Sequence, residues 1–211
     1  MRLACLIFAL ATIAHADPWA ITHGGLSPDK RLGVAVYPQT TEHADEPDGT
    51  VLLVDAIQEK IIDPLEEVDS TGGTWGKTTE NVYCVWSADS RLLAVNFRTG
   101  RMMRSCQLYR IEGRRAVPLD LPDPRTHPKG KILDVLGYSA NPGAEIELQP
   151  NEDIIERRWG FMPKEGHWDE DYSKFGIKDF EGIGGVLLFV YRIDKDKNVK
   201  IVDVITEPEK K

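Results

Sequence analysis

Val82-Tyr83-Cys84-Val85-Trp86-Ser87-Ala88-Asp89-Ser90-Arg91-Leu92-Leu93-Ala94-Val95-Asn96-Phe97 reads as strand, turn, strand. Val82–Trp86 is apolar and β-prone, Ser87–Ser90 carries turn chemistry, and Arg91–Phe97 resumes the apolar pattern. Downstream, Thr99-Gly100 turns the chain, Ser105–Ile111 runs back, and Glu112-Gly113 turns it again into Arg115–Leu119. Short strands separated by regular turns predict a four-stranded antiparallel meander.

The same pattern recurs elsewhere in the chain. Trp86-Ser87-Ala88-Asp89 is matched 82 residues later by Trp168-Asp169-Glu170-Asp171. In that register Gly100 meets Gly182, Tyr109-Arg110-Ile111 meets Tyr191-Arg192-Ile193, and Val117 meets Val199. Sixty residues earlier, Ser27-Pro28-Asp29-Lys30-Arg31-Leu32 matches Ser87–Leu92. Gly33–Tyr37, Thr50–Val54 and Lys60–Ile62 extend that copy as strands, although Ile57, Ile61, Leu65 and Val68 also suit a helical face, which Pro64 would limit. Each copy opens on a tryptophan (Trp19, Trp75 or Trp159), so all five tryptophans fall at repeat positions and are expected to pack between sheets. The expected fold is mainly β, with three blade-like units at residues 19–66, 75–120 and 159–205. A proline-rich insert, residues 121–158, lies outside the repeat; within it Lys131–Tyr138 reads as a short helix or strand and Ala144–Leu148 as a strand.

The Ser-Pro-Asp-Lys-Arg-Leu and Trp-Ser-Ala-Asp-Ser-Arg-Leu-Leu-Ala-Val stretches resemble the first hairpin of WD-type and TolB-type β-propeller repeats. In those repeats a tight turn ending in glycine joins the first two strands of a blade; here Lys30 and Ser90 stand at the glycine position. The resemblance implies a scaffold for protein or peptide binding and, less often, an enzyme. Closed propellers need at least about four blades of roughly 40–45 residues. Three units leave open an incomplete propeller, a sandwich-like assembly, or a propeller completed by another chain.

Residues 1–16 read as a secretory signal: Arg2, an apolar run from Leu3 to Ile13, and Ala14-His15-Ala16 before Asp17-Pro18. The run is too short to span a bilayer, and no later segment reaches the roughly 18 apolar residues required. The expected mature chain, residues 17–211, is one exported domain, periplasmic or extracellular. The formal charge of −8 for the whole sequence argues against general nucleic-acid binding. Cys84 and Cys106 fall on the first and third strands of one meander, about 9.5 Å apart at the usual strand spacing, so two separate thiols are expected.

The charge is unevenly spread. Between Arg91 and Arg115 lie seven arginines opposed by Glu112 alone. Guanidinium forks suit carboxylate or phosphate recognition. Arg110 is repeated as Arg192 and reads as scaffold. Arg98, Arg101 and Arg104 cluster around the Thr99-Gly100 turn beside Met102 and Met103, while Arg114 and Arg115 leave the next turn, toward the opposite end of the sheet. These five arginines are the candidate binding residues, for a protein or another anionic ligand. The Pro38–Gly49 loop and the insert are further places where the units differ.

No cofactor, metal or catalytic site is expected. His167–Asp171 resembles an acid cluster, yet Asp171 falls at the expected hairpin turn, where Asp caps its own backbone. Asp194–Asn198 begins like a calcium loop but has Val199 and Ile205 at the required glycine and glutamate positions. His23-Gly24-Gly25 resembles an oxyanion-hole loop without a nucleophile elbow. The leading expectation is a non-enzymatic binding module, with oligomerisation open. The alternative is a hydrolase, for instance of glycosides, using a pair of carboxylates drawn from Asp169, Glu170, Asp171, Glu145, Glu147, Glu152 and Asp153, which requires two carboxyls roughly 5–9.5 Å apart across a cleft.

Overall fold

The computed structural model describes residues 19–37, 50–65, 68, 79–151, 153–177, 180, 183–195 and 197–207. The expected leader, the Pro38–Gly49 loop, Trp75 and Glu152 lie outside the described residues. The strands are β1 (Ala20–Leu26), β2 (Leu32–Val36), β3 (Val51–Asp55), β4 (Lys60–Pro64), β5 (Val82–Trp86) and β6 (Leu92–Arg98). They continue as β7 (Arg104–Glu112), β8 (Arg115–Leu119), β9 (Leu136–Leu148), β10 (Ile154–Pro163), β11 (Leu187–Ile193) and β12 (Val199–Thr206). The chain is mainly β.

Consecutive strands pair antiparallel into three four-stranded meanders, β1–β4, β5–β8 and β9–β12. Two isolated parallel bridges join them, His23 to Tyr83 between β1 and β5, and Arg104 to Gly143 between β7 and β9. Among the described residues the path ends at β4 on one side and β12 on the other, so it does not close.

The repeated Ser-x-Asp-x-Arg-Leu motif is a complete turn. The Ser27 hydroxyl donates to Asp29 Oδ1 at 2.7 Å and accepts from the Leu32 N–H at 3.0 Å, while Asp29 Oδ1 also accepts from the Arg31 N–H. Ser87, Asp89, Arg91 and Leu92 reproduce the pattern, with Ser87 accepting from the Leu92 N–H at 2.8 Å. Lys30 and Ser90, at the glycine position of the related turn, adopt φ of 58° and 61°, the left-handed region that glycine enters most readily.

Alternation along the strands sends apolar side chains to both faces of the middle meander, so the sheets pack face to face. Val34 and Leu53 of the first meander meet Val82, Leu93, Val95 and Tyr109 of the second. On the other face of the second, Ala94 and Leu108 meet Ile146, Leu187, Phe189 and Tyr191 of the third. Cys84 lies opposite Val95, and Cys106 opposite the next residue, Asn96, so the two thiols occupy opposite faces of the sheet. Both are free, as expected from the strand spacing.

The third meander corrects the 82-residue register. Its last two strands follow that register, and Tyr191 of β11 is buried as Tyr109 of β7 is. Its first two strands, however, are β9 and β10, taken largely from the residues expected to be a non-repeated insert. Trp168–Asp171 is therefore no strand-to-strand hairpin: Asp171 caps the 3-10 helix Tyr172–Phe175, accepting from the Ser173 N–H at 2.9 Å. Trp168 departs from the expected packing role and is 55% exposed. Insert residues Pro128–Asp134 form a 3-10 helix, and Lys60–Ile62, expected as a strand with a helical alternative, lies in β4.

The His23-Gly24-Gly25 stretch also has a packing cause. Gly24 has φ of 64°, and a Cβ there would lie 2.2 Å from the Cys84 carbonyl oxygen. This close approach brings β1 beside β5, and the Trp86 indole N–H donates to the Gly25 carbonyl at 3.0 Å across the same seam.

Candidate functional site

The five candidate arginines occupy two ends of β7. At one end, the β6–β7 hairpin places Arg98 directly opposite Arg104 in the pairing register, with Arg101 in the turn between them. The turn is closed by the Thr99 N–H donating to the Met103 carbonyl at 3.1 Å. Arg98 Nη2 donates to the Arg101 carbonyl at 2.7 Å, which folds its side chain over the tip. Met102 is 63% exposed and Met103 is also exposed, so cationic and apolar groups share this tip.

Arg104 is differently engaged. Its guanidinium pairs with Glu145 of β9 and lies 5.8 Å from the centre of the Tyr83 ring. Burial and the Glu145 charge push the Tyr83 phenol well above its ordinary value. This cluster joins β5, β7 and β9 where the second and third meanders meet, so Arg104 has a structural partner that the sequence pattern did not reveal.

At the other end, Arg114 pairs with Asp55 at 2.8 Å and Arg115 is exposed at the start of β8. Arg110 pairs with Glu112 of its own strand at 2.8 Å, and its repeat Arg192 with the distant Asp153 at 2.6 Å.

Arg114 also borders a cleft of about 350 Å³ between the first two meanders. Four hairpin turns converge there, supplying Asp29 and Arg31, Asp55 and Gln58, Asp89 and Arg91, and Gly113 with Arg114. The Asp29 N–H donates to Ser90 Oγ at 3.3 Å, tying the two repeated turns together. The Ser27 hydroxyl and the Arg31 N–H hold Asp29 below the ordinary carboxylate range, and the Gln58 and Ile57 N–H groups do the same for Asp55. At Asp89 burial pushes upward, but the Ser87 hydroxyl and the Arg91 backbone and charge outweigh it. The sequence marks the repeated motifs as turns between strands but does not show that two of them face one cleft. The missing signal was spatial, because Asp29 and Ser90 are 61 residues apart.

Five of the carboxylates considered for hydrolysis have local partners. Glu145 pairs with Arg104, Glu170 with His167 and Lys174, and Asp153 with Arg192. Glu147 accepts from Gln149, and Asp171 caps its 3-10 helix. Among the described residues no group of three or more His, Cys, Asp or Glu is arranged to hold a metal ion. Between β11 and β12 the Asp194 N–H donates to the Asn198 carbonyl at 2.9 Å. No helix among the described residues is long and apolar enough to cross a membrane.

No protein family matches the sequence, and no curated protein matches it. Among solved structures, the chain is similar to one described as a putative TolB from Agrobacterium tumefaciens, at 12% identity and a TM-score of 0.35 over 90% of this chain and 50% of that one. It is similar also to a structure from a study of two prolyl endopeptidases, at 11% identity and a TM-score of 0.35 over 88% of this chain and 29% of that one. The chain thus spans half or less of the length of either structure.

Proposed function

We propose that this chain is an exported, non-enzymatic binding module that engages an anionic partner through the tip of the β6–β7 hairpin. The observation that carries the reading is the grouping of Arg98 and Arg101 with exposed Met102 and Met103 on one turn. Planar guanidinium groups give directional recognition of carboxylate or phosphate, and the methionines add adaptable apolar contact. Arg104 supports the hairpin through Glu145. Export rests on the leader read at residues 1–16.

Salt-dependent retention on a heparin matrix tests the tip. The variant R98E/R101E is expected to elute at clearly lower salt than the parent with an unchanged melting temperature. The control K60E/K195E, which makes the same net charge change away from the tip, is expected to elute close to the parent. Equal elution shifts in the two variants would assign retention to net charge and remove the tip from the reading.

A further inference from the structure

We propose that the cleft between the first two meanders is a docking groove for a short extended peptide, which places an acidic side chain between Arg31 and Arg91 and an apolar one against Ile57. The proposal is independent of the hairpin tip, which lies at the other end of β7.

Charge bookkeeping within the cleft separates groups that serve the turns from groups that face outward. Asp29 and Asp89 each accept from a serine hydroxyl and a backbone N–H of their own turn, and Asp55 accepts from two backbone N–H groups and pairs with Arg114. These carboxylates are committed. The Arg31 charge helps to lower Asp29 and Asp55, but its side chain closes no ion pair with them within 4.0 Å, and the Arg91 side chain is 80% exposed, with its nearest carboxylate contact to Asp89 at 3.6 Å. The two arginines hold the same position in the repeated motif and line one cleft from neighbouring sheets, which the Asp29–Ser90 hydrogen bond holds in register.

The remaining lining defines the ligand. Ile57 is 71% exposed at the rim, while Leu32 and Ile111 form apolar wall. A free polyanion entering the cleft would meet three ionised aspartates. A single carboxylate carried on a peptide can sit between two guanidinium groups, while its neighbours cover Ile57 and accept from the Gln58 side-chain amide. The cleft lies at the lower end of the volume range typical of ligand sites, enough for a few side chains rather than a folded domain.

The test is an array of immobilised hexapeptides in which one Glu or Asp and one Leu or Val occupy every pair of positions, probed with the full chain. Saturable capture by a subset is expected, with at least tenfold weaker binding when Glu is replaced by Gln in the peptide or when the protein carries R31Q/R91Q. The variant R98Q/R101Q is expected to bind those peptides like the parent. A melting temperature unchanged in R31Q/R91Q shows that the turns survive. Absence of capture on every spot, equal capture of the Gln peptides, or undiminished binding by folded R31Q/R91Q would overturn the proposal. Complete competition by free succinate at the peptide's own concentration would also overturn it, by showing that the cleft reads a carboxylate alone.

Discussion

The Asn96 side chain closes on the backbone of Ile146, its Nδ2 donating to the carbonyl at 3.0 Å and its Oδ1 accepting from the N–H at 2.6 Å. Asn96 is fully buried on β6 and Ile146 is buried on β9. The amide thus acts as an extra backbone segment where β9 approaches the second meander with one parallel bridge. Asn96→Leu would strand two buried polar groups, each costing about 1–3 kcal/mol. Loss of about 3 kcal/mol in chemical denaturation is expected, and a loss below about 1 kcal/mol would show that the sheets do not depend on this contact.

Gly24 and Gly113 separate steric crowding from backbone strain. Both have positive φ, 64° and 66°, but a Cβ at Gly113 meets nothing within 4 Å whereas one at Gly24 meets the Cys84 carbonyl oxygen at 2.2 Å. Gly113→Ala should cost about 1 kcal/mol from conformation alone. Gly24→Ala should cost about 3 kcal/mol or more, because β1 and β5 must move apart. Equal melting temperatures for the two variants would contradict the close approach.

Lys30 and Ser90 share a left-handed conformation but not their contacts. Lys30→Gly is expected to stabilise by about 0.5 kcal/mol, since relief of the left-handed strain slightly exceeds the added freedom of the unfolded chain. Ser90→Gly gains the same relief but removes the Oγ that accepts from the Asp29 N–H, so no net gain is expected. Thermal melts of the two variants side by side check the order.

The turn carboxylates make stability depend on acid. Hydrogen bonds from Ser27 and the Arg31 N–H lower Asp29, and those from Ser87 and Arg91 lower Asp89 against its burial, relative to 3.8. When the folded value lies below the unfolded one, the stabilisation is present above the unfolded value and is lost as pH falls through the folded one. Stability should therefore decline below about pH 4, and D29N/D89N should flatten that decline while lowering stability at neutral pH. Parallel denaturation curves for parent and variant from pH 6 to pH 2 would refute the assignment.

The thiols should be inert in the folded chain. Burial pushes Cys84 up to about 12 despite its contact with the Thr22 hydroxyl at 3.4 Å, and burial with the nearby Glu156 charge pushes Cys106 higher still. Nucleophilic thiolate is then scarce at pH 8. Iodoacetamide mapping by mass spectrometry is expected to leave Cys84 and Cys106 unmodified in buffer and to label both in denaturant. Rapid native labelling of either would show that its strand opens.

Local patterning made the first two meanders legible. Ser27–Leu32 and Ser87–Leu92 encode their turns within six residues, because the Ser27 and Ser87 hydroxyls bond to neighbours in the chain. The alternating strands on either side follow from the same short-range logic. The third meander was legible only in its second half. Tyr191 repeats Tyr109, but β9 and β10 carry no copied turn, and the Trp168–Asp171 match lies in the connection between β10 and β11.

By itself the sequence determined the mainly β class, the turn chemistry, the two separate thiols and the arginine-rich character of residues 91–115. Tertiary structure decided which arginines have partners, because Glu145 reaches Arg104 and Asp55 reaches Arg114 only after distant strands align. It also decided that two repeated turns form one cleft and that Asn96 completes the seam to β9. Turns and strand periodicity depend on residues a few positions apart, so they can be read along the chain; ion pairs and clefts depend on which sheet faces which, and that is settled by packing over long sequence separations.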